Sequence, residues 1–238
     1  MGDLREKVLS VFFPKTCPLC ERVIYNNRDI CSDCEASLHM IDEPKCYKCG
    51  KALSTYEKIM CNDCRKLIHH FEKGAVLFEY KDEIRQSLYR FKYKNQRNYA
   101  RFYAKTAAEK YLKNFEEWNI NKIVPVPMYN KKKVIRGYNQ AEELAKSLSG
   151  CTGIPMDNKC LIRIKNTIAQ KGLSNQERRA NMNEAFAVKV SEVKKGENVL
   201  LVDDIYTTGS TIDSCSRILK KAGVQKVYFL CVAAGKDK

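Results

Sequence analysis

Two groups of residues in this 238-residue chain have types and spacing suited to chemistry. The first opens with the apolar run Val199, Leu200, Leu201 and Val202, which delivers Asp203 and Asp204. Ile205 and Tyr206 follow, then a turn of small residues, Thr207, Thr208, Gly209, Ser210 and Thr211. A buried strand ending in two carboxylates places them where parallel α/β sheets bind ligands. A hydroxyl-rich turn around a glycine, opening onto a helix, turns backbone N–H groups and the positive helix end toward a phosphate. The carboxylates suit a ribose diol or metal-bound water. The segment has neither the G-x-x-x-x-G-K-[ST] of an ATPase loop nor the G-x-G-x-x-G of a dinucleotide site, which excludes both readings.

The second group is cysteine. Cys17/Cys20, Cys31/Cys34, Cys46/Cys49 and Cys61/Cys64 are four C-x2-C pairs, with ten residues between the first two pairs and eleven between the last two. A C-x2-C knuckle offers two thiolates from one tight turn, and two knuckles complete the tetrahedral set that structural Zn2+ prefers. Sequential pairing gives two similar ribbons; an interleaved arrangement, in which alternate pairs share a metal, satisfies the same count. Neither leaves an open position for catalysis, so the metals replace the core that about 50 residues cannot build. His39, His69 and His70 are read as solvent-facing or capping residues.

These groups need elements to position them. The chain divides into a zinc-ribbon module over 1–68 with two four-cysteine sites and an α/β domain over 69–238. Strands are expected at 75–80, 122–128, 160–164, 197–204 and 226–233. Helices are expected over 1–13, as two segments within 82–112 that break near 94–98, over 139–148 and after 211. Polar loops are expected at 129–138 and 165–183. Continuous apolar strands alternating with helices make a mostly parallel sheet covered on both faces.

The formal net charge is +15, and residues 1–70, with 11 Lys+Arg against 10 Asp+Glu, contribute only +1 of it. The positive field belongs to the second domain and favours a polyanionic ligand. Between Arg85 and Lys105 seven basic residues occur with no acidic one, mixed with tyrosines and phenylalanines. Such a mixture suits a single strand of DNA, cations following phosphates and rings stacking on bases. Arg90, Lys92, Lys94 and Arg97 are its candidate contacts. The apolar run before Pro14 is too short for an export signal, and no stretch approaches the roughly 20 apolar residues of a membrane helix. A cytoplasmic protein is expected, with peripheral contact at the inner face of the membrane as an option.

The run 199–211 matches the fingerprint of type I phosphoribosyltransferases, four apolar residues followed by D-D-x-x-x-T-G-x-T. FKYKNQ (91–96), VPVPM (124–128), RGYNQ (136–140), the Q-x2-L-S-x2-E-R-x2-N run at 170–181 and the cysteine pairs occur with it, in that combination. The whole chain thereby resembles the ComF family of competence-associated proteins, which also includes GntX-like members. The resemblance implies a double zinc ribbon, a type I phosphoribosyltransferase domain and a role in uptake and handling of transforming DNA. It implies 5-phosphoribosyl-1-pyrophosphate (PRPP) with Mg2+ as ligand. Asp203 and Asp204 would then lie at the ribose hydroxyls, 207–211 around the 5-phosphate, and Val126 and Pro127 in the pyrophosphate-side loop.

Lys92, Arg136, Arg163, Lys165, Arg178 and Arg179 are candidates for pyrophosphate or hood contacts, and Arg136 with Asp203 and Asp204 for catalysis. Phosphoribosyl transfer, a pentosyl transfer to an unidentified acceptor, is the implied reaction. Thr207 stands where purine phosphoribosyltransferases commonly place an acid/base Asp, which argues against transfer to a purine nitrogen by that route. The alternative is a non-catalytic PRPP-sensing adaptor that binds single-stranded DNA or recruits the uptake machinery, an uptake helicase or recombination proteins among its partners.

Overall fold

The apolar runs at 75–78, 199–202 and 227–234 are strands of one sheet. The structure, a computed structural model, describes residues 15–24, 28–165 and 185–237. The helix expected over 1–13 and most of the 165–183 loop, with Arg178 and Arg179, lie outside the described residues. Four strands, β1 (Gly74–Glu79), β2 (Lys122–Pro125), β5 (Asn198–Tyr206) and β6 (Lys226–Ala234), pair in the order β1-β6-β5-β2, every pair parallel. A separate antiparallel pair is formed by β3 (Leu161–Arg163) and β4 (Phe186–Val188). The latter was not anticipated, since three residues carry too little periodicity to register.

Alternating strand residues feed two apolar layers, as a sheet buried on both faces requires. On one face Ala75, Leu77, Ile123, Leu200, Val202, Leu230 and Val232 meet three helices, α3 (Asp82–Tyr93), α4 (Tyr99–Glu117) and α6 (Gln140–Thr152). On the other, Val76, Val124, Val199, Leu201, Phe229 and Cys231 meet α7 (Ser210–Lys221). The break between α3 and α4 falls at the expected 94–98. The lysine-rich stretch expected as loop instead forms a short helix, α5 (Asn130–Arg136), stopped by Gly137 at φ 81°. Its exposed, nearly continuous polar run has no apolar stripe to announce a helix.

The ribbons belong to the same body. Helices α1 (Ser32–Ser37) and α2 (Asn62–Lys66) follow the second knuckle of each ribbon. Leu19, Ile24 and Ile30 of the first ribbon join the α3/α4 layer, whereas Ile41, Leu53 and all four cysteines of the second join the α7 layer. Backbone bonds cross the expected boundary near residue 68. Ile41 N–H donates to Leu77 O (2.7 Å), Gly74 N–H to Lys48 O (2.9 Å) and Asp237 N–H to Ala52 O (3.1 Å). Among the described residues no helix is long and apolar enough to cross a membrane.

Candidate functional site

At the carboxyl end of β5, Asp203 accepts a hydrogen bond from the Asp204 backbone N–H (2.8 Å), and Asp204 Oδ2 lies 2.9 Å from Lys92 Nζ. Burial, reinforced by the neighbouring Asp204 charge, pushes the Asp203 carboxyl up to about 7, against the pull of Lys92 and Arg163. Burial pulls the Lys92 ammonium down, but Asp204 and Asp203 outweigh it and hold Lys92 above its ordinary range. The next residues form the turn. Thr207 is exposed, the Thr208 and Ser210 hydroxyls are 2.8 Å apart, and Gly209 caps α7 at φ 76°. That left-handed conformation and the closeness of Tyr206 Oη, 2.5 Å from where a Cβ would sit, both demand glycine at 209.

Cations converge on the carboxylates from separate elements. Lys92 arrives on the last turn of α3. Arg163, on β3, is near enough to Asp203 to feel its charge, lies over the Phe186 ring (5.2 Å), and has its guanidinium pulled below its ordinary range by burial. Arg136, at the end of α5, rests over the Tyr93 ring (4.8 Å) and donates to Gln140 Oε1 (2.8 Å). Lys132 was not singled out from the sequence. Partial burial, with Arg163 and Arg136 close by, lowers its ammonium, the mark of cations crowded where an anion would relieve them. Reading α5 as loop hid it, because only the helix faces Lys132 and Arg136 the same way. Lys165 is exposed.

The loop at 124–128 is fixed to this end of the sheet. Val126 N–H donates to Val202 O (2.9 Å), and Asn139 Nδ2 donates to Val126 O (3.0 Å). Pro127 is half-buried beside it. Tyr138 Oη and Gln140 Nε2 donate to Phe91 O, so RGYNQ also braces the helix that carries Lys92. The glycine of that motif ends α5 and leaves room around it; it is required by its φ, not by close approach of backbone.

The expected DNA surface is corrected in part. Arg90 is buried, donating to the backbone oxygens of Pro18 (3.0 Å) and Leu19 (2.8 Å) and pairing with Glu21 (3.4 Å). It fastens α3 to the first knuckle and does not face solvent. Lys92 is turned inward to Asp204, and exposed Arg97 is held over the Tyr138 ring and to Gly137 O (3.1 Å). Arg101 and Lys105 both approach Asp29. Lys94 stays exposed, as does Arg85 beyond the expected set. Of the aromatics, Phe91, Tyr99, Phe102 and Tyr103 are buried, but Tyr89 and Tyr93 are more than half exposed with ring centroids 5.0 Å apart. His69 is also buried, stacked on Phe71 (4.6 Å), where a solvent-facing or capping residue was expected.

The eight ribbon cysteines close into two sequential sets, Cys17/Cys20/Cys31/Cys34 and Cys46/Cys49/Cys61/Cys64, with the sulfurs of each set within 4.8 Å of one another. Cys20 and Cys31 sulfurs are 3.6 Å apart, Cys49 and Cys61 3.7 Å. A tetrahedron of sulfurs at the usual Zn–S distance of about 2.3 Å has edges of about 3.8 Å. Four thiols at that spacing, too far apart for disulfides, fit Zn2+ as a structural ion.

Residues 8–65 match a family described as a double zinc ribbon domain, and residues 96–238 match the phosphoribosyl transferase domain. The chain is 33% identical over 221 residues to competence protein F of Haemophilus influenzae, covering 91% of this chain and 95% of that one. It is 24% identical to the DNA utilization protein YhgH of Escherichia coli, covering 92% and 96%. To competence protein ComFC of Bacillus subtilis it is 25% identical, covering 82% and 79%. With ribbons and sheet in one order along nearly the full length of its relatives, the chain belongs to the ComF family, in which a double zinc ribbon precedes a phosphoribosyltransferase-like domain.

Proposed function

We propose that this protein is a PRPP-binding adaptor for the handling of incoming single-stranded DNA, and that it holds PRPP without transferring its ribosyl group to a base. One observation carries the ligand reading. Asp203 and Asp204 end β5 directly before a hydroxyl-lined, glycine-capped turn, with Lys92 on one carboxylate and Lys132, Arg136 and Arg163 close by. Each part suits one part of the ligand. The carboxylates accept from the ribose hydroxyls, 207–211 take the 5-phosphate, and the cations beside Val126 and Pro127, with Mg2+, neutralise the pyrophosphate. Lys165 is assigned to the same pyrophosphate side as a hood contact; Arg178 and Arg179 lie outside the described residues.

The turn supports the non-transferring reading: Thr207 stands where purine phosphoribosyltransferases commonly place an acid/base Asp, and its hydroxyl exchanges no proton near neutral pH. Asp204 is tied to the Lys92 ammonium, and Asp203, which burial holds up to about 7, is committed in this reading to a ribose hydroxyl and not to an acceptor. The names of the relatives, competence proteins and a DNA utilization protein, support the DNA side of the proposal, with an uptake helicase or recombination protein as the machinery recruited. The exposed pair Tyr89 and Tyr93, flanked by Arg85 and Lys94, supplies rings to stack on bases and cations for phosphates.

Labelled single-stranded DNA titrated against the full chain by fluorescence anisotropy tests this. Binding should weaken steeply with salt, and Arg85→Ala with Lys94→Ala should reduce the log–log salt slope by about 1.4, close to 0.7 per lost phosphate contact on a single strand. Tyr89→Ala should weaken binding about tenfold at every salt concentration, the scale of one lost base stack. Binding that is indifferent to all three substitutions would remove this surface from the proposal.

A further inference from the structure

The second ribbon reaches beneath the phosphate turn. Lys51, two residues beyond Cys49, is only 6% exposed. Its Nζ lies 3.1 Å from Asp63 Oδ2, the residue before Cys64, and 5.7 Å from the centroid of the Tyr206 ring. Tyr206 is itself buried, its ring parallel to Phe229 at 4.9 Å and edge-on to Phe71 at 6.4 Å. Its hydroxyl sits under Gly209, 2.5 Å from where a Cβ there would sit, with no hydrogen-bond partner among the described residues. A second strut meets the turn at its far end. The chain leaving the second ribbon donates His70 N–H to Asp213 Oδ1 (2.6 Å) in the first turn of α7, with His69 Nδ1 3.5 Å from the same oxygen.

We propose that Lys51 and Tyr206 are positioning residues through which the second four-cysteine set fixes the conformation of the phosphate turn at 207–213. Four thiolates around one Zn2+ leave a net negative charge, and a buried lysine beside them is the compensating cation. Anchored by Asp63 inside the knuckle, Lys51 has one place to sit, and the Tyr206 ring is confined by it and by the stacked Phe229 ring. With Tyr206 fixed, Gly209 has one height above the sheet, and the N–H groups that follow it point one way. Loss of Lys51 releases the ring and with it the turn. Among the described residues the first four-cysteine set shows no such path; its ribbon meets α3 through Arg90 and α4 through Asp29.

The link to ligand binding rests on the PRPP reading; the link to the turn does not. Full-length, zinc-loaded Lys51→Met is compared with the unmodified chain by amide hydrogen exchange. Exchange at 207–213 should accelerate about tenfold while the middle of β5 and β6 stays protected, the signature of local opening. Lys51→Arg, which keeps the charge, should restore it. Unchanged exchange at 207–213, or acceleration spread equally over β5 and β6, overturns the proposal.

The unmodified chain gives a measurement that needs no variant to fold. Because coupling between binding free energies is reciprocal, PRPP with Mg2+ should tighten the binding of one zinc about tenfold, and not of the other, in equilibrium competition with a pyridylazo chelator. Equal tightening of both, or of neither while PRPP is bound, overturns the coupling. If PRPP does not bind, the adaptor reading fails, and the exchange result alone decides this one.

Discussion

Replacing Asp203 and Asp204 together by asparagine in the full chain should weaken PRPP·Mg2+ binding by about 100-fold or more, since hydrogen bonds to charged groups contribute about 1.5–3 kcal/mol each. At Asp203 the change should not harm the fold, whereas loss of Asp204 leaves the Lys92 ammonium without its partner and costs stability, so folding of the double variant is checked by circular dichroism. Asp203 is held up to about 7 by burial, well above the 3.8 of an unperturbed carboxyl. Between those values the folded chain keeps a proton that the unfolded chain has released, so this group's contribution to stability is undiminished below the unfolded value. It is lost as pH rises through the folded one. Asp203→Asn removes that loss. The single variant should therefore melt several degrees higher than the unmodified chain at pH 8, with the gain shrinking as pH falls toward 6, as thermal denaturation at the two pH values would show. PRPP affinity of the unmodified chain should fall over the same interval, because the neutral acid accepts hydrogen bonds less well. A carboxylate that costs stability where it binds ligand is the trade expected of a binding site.

The other large effect is at the second ribbon. Cys46, Cys49, Cys61 and Cys64 are all buried, and they share an apolar layer with Leu201, Phe229 and Cys231 of the central strands. In the first set Cys20, Cys31 and Cys34 are only half-buried. A structural Zn2+ contributes on the order of 10–16 kcal/mol, as much as the whole net stability of a domain, about 5–15 kcal/mol. Cys64→Ser should therefore abolish cooperative unfolding of the entire chain. Cys34→Ser should lower the melting temperature while leaving a folded sheet with about one zinc in place of two. Metal content and circular dichroism melts on both variants check this. Equal damage from both would mean that the two ribbons carry the sheet alike.

The metal ligands, the β5 strand and the turn after it were legible because each is dictated locally. Knuckle spacing fixes which cysteines are ligands, though not whether sequential or alternate pairs share a metal, and a run such as Val199–Leu200–Leu201–Val202 buries itself whatever surrounds it. Arg90 was not legible. On a basic helix a charge is read as solvated, and its partners, the carbonyls of Pro18 and Leu19, are 72 and 71 residues away. Lys132 was hidden by a helix without an apolar stripe, and Lys51 looked like any lysine after a knuckle. The division near residue 68 is read from the sequence, but that the second ribbon also completes one face of the sheet rests on contacts between residues far apart in the chain, which no local pattern carries. For that reason every variant is compared in the full chain, since neither half keeps its apolar layer alone.

The central claim is that the site at the end of β5 binds PRPP and does not turn it over. Isothermal titration of PRPP with Mg2+ into the full chain, followed by assay of the same samples for released pyrophosphate in the presence of bases, nucleotides or single-stranded DNA, tests it most directly. The account predicts saturable binding with a stoichiometry of one, abolished by the double asparagine variant, and no pyrophosphate above the rate of uncatalysed PRPP breakdown. Absence of binding, or multiple turnovers of pyrophosphate with any acceptor, would contradict it.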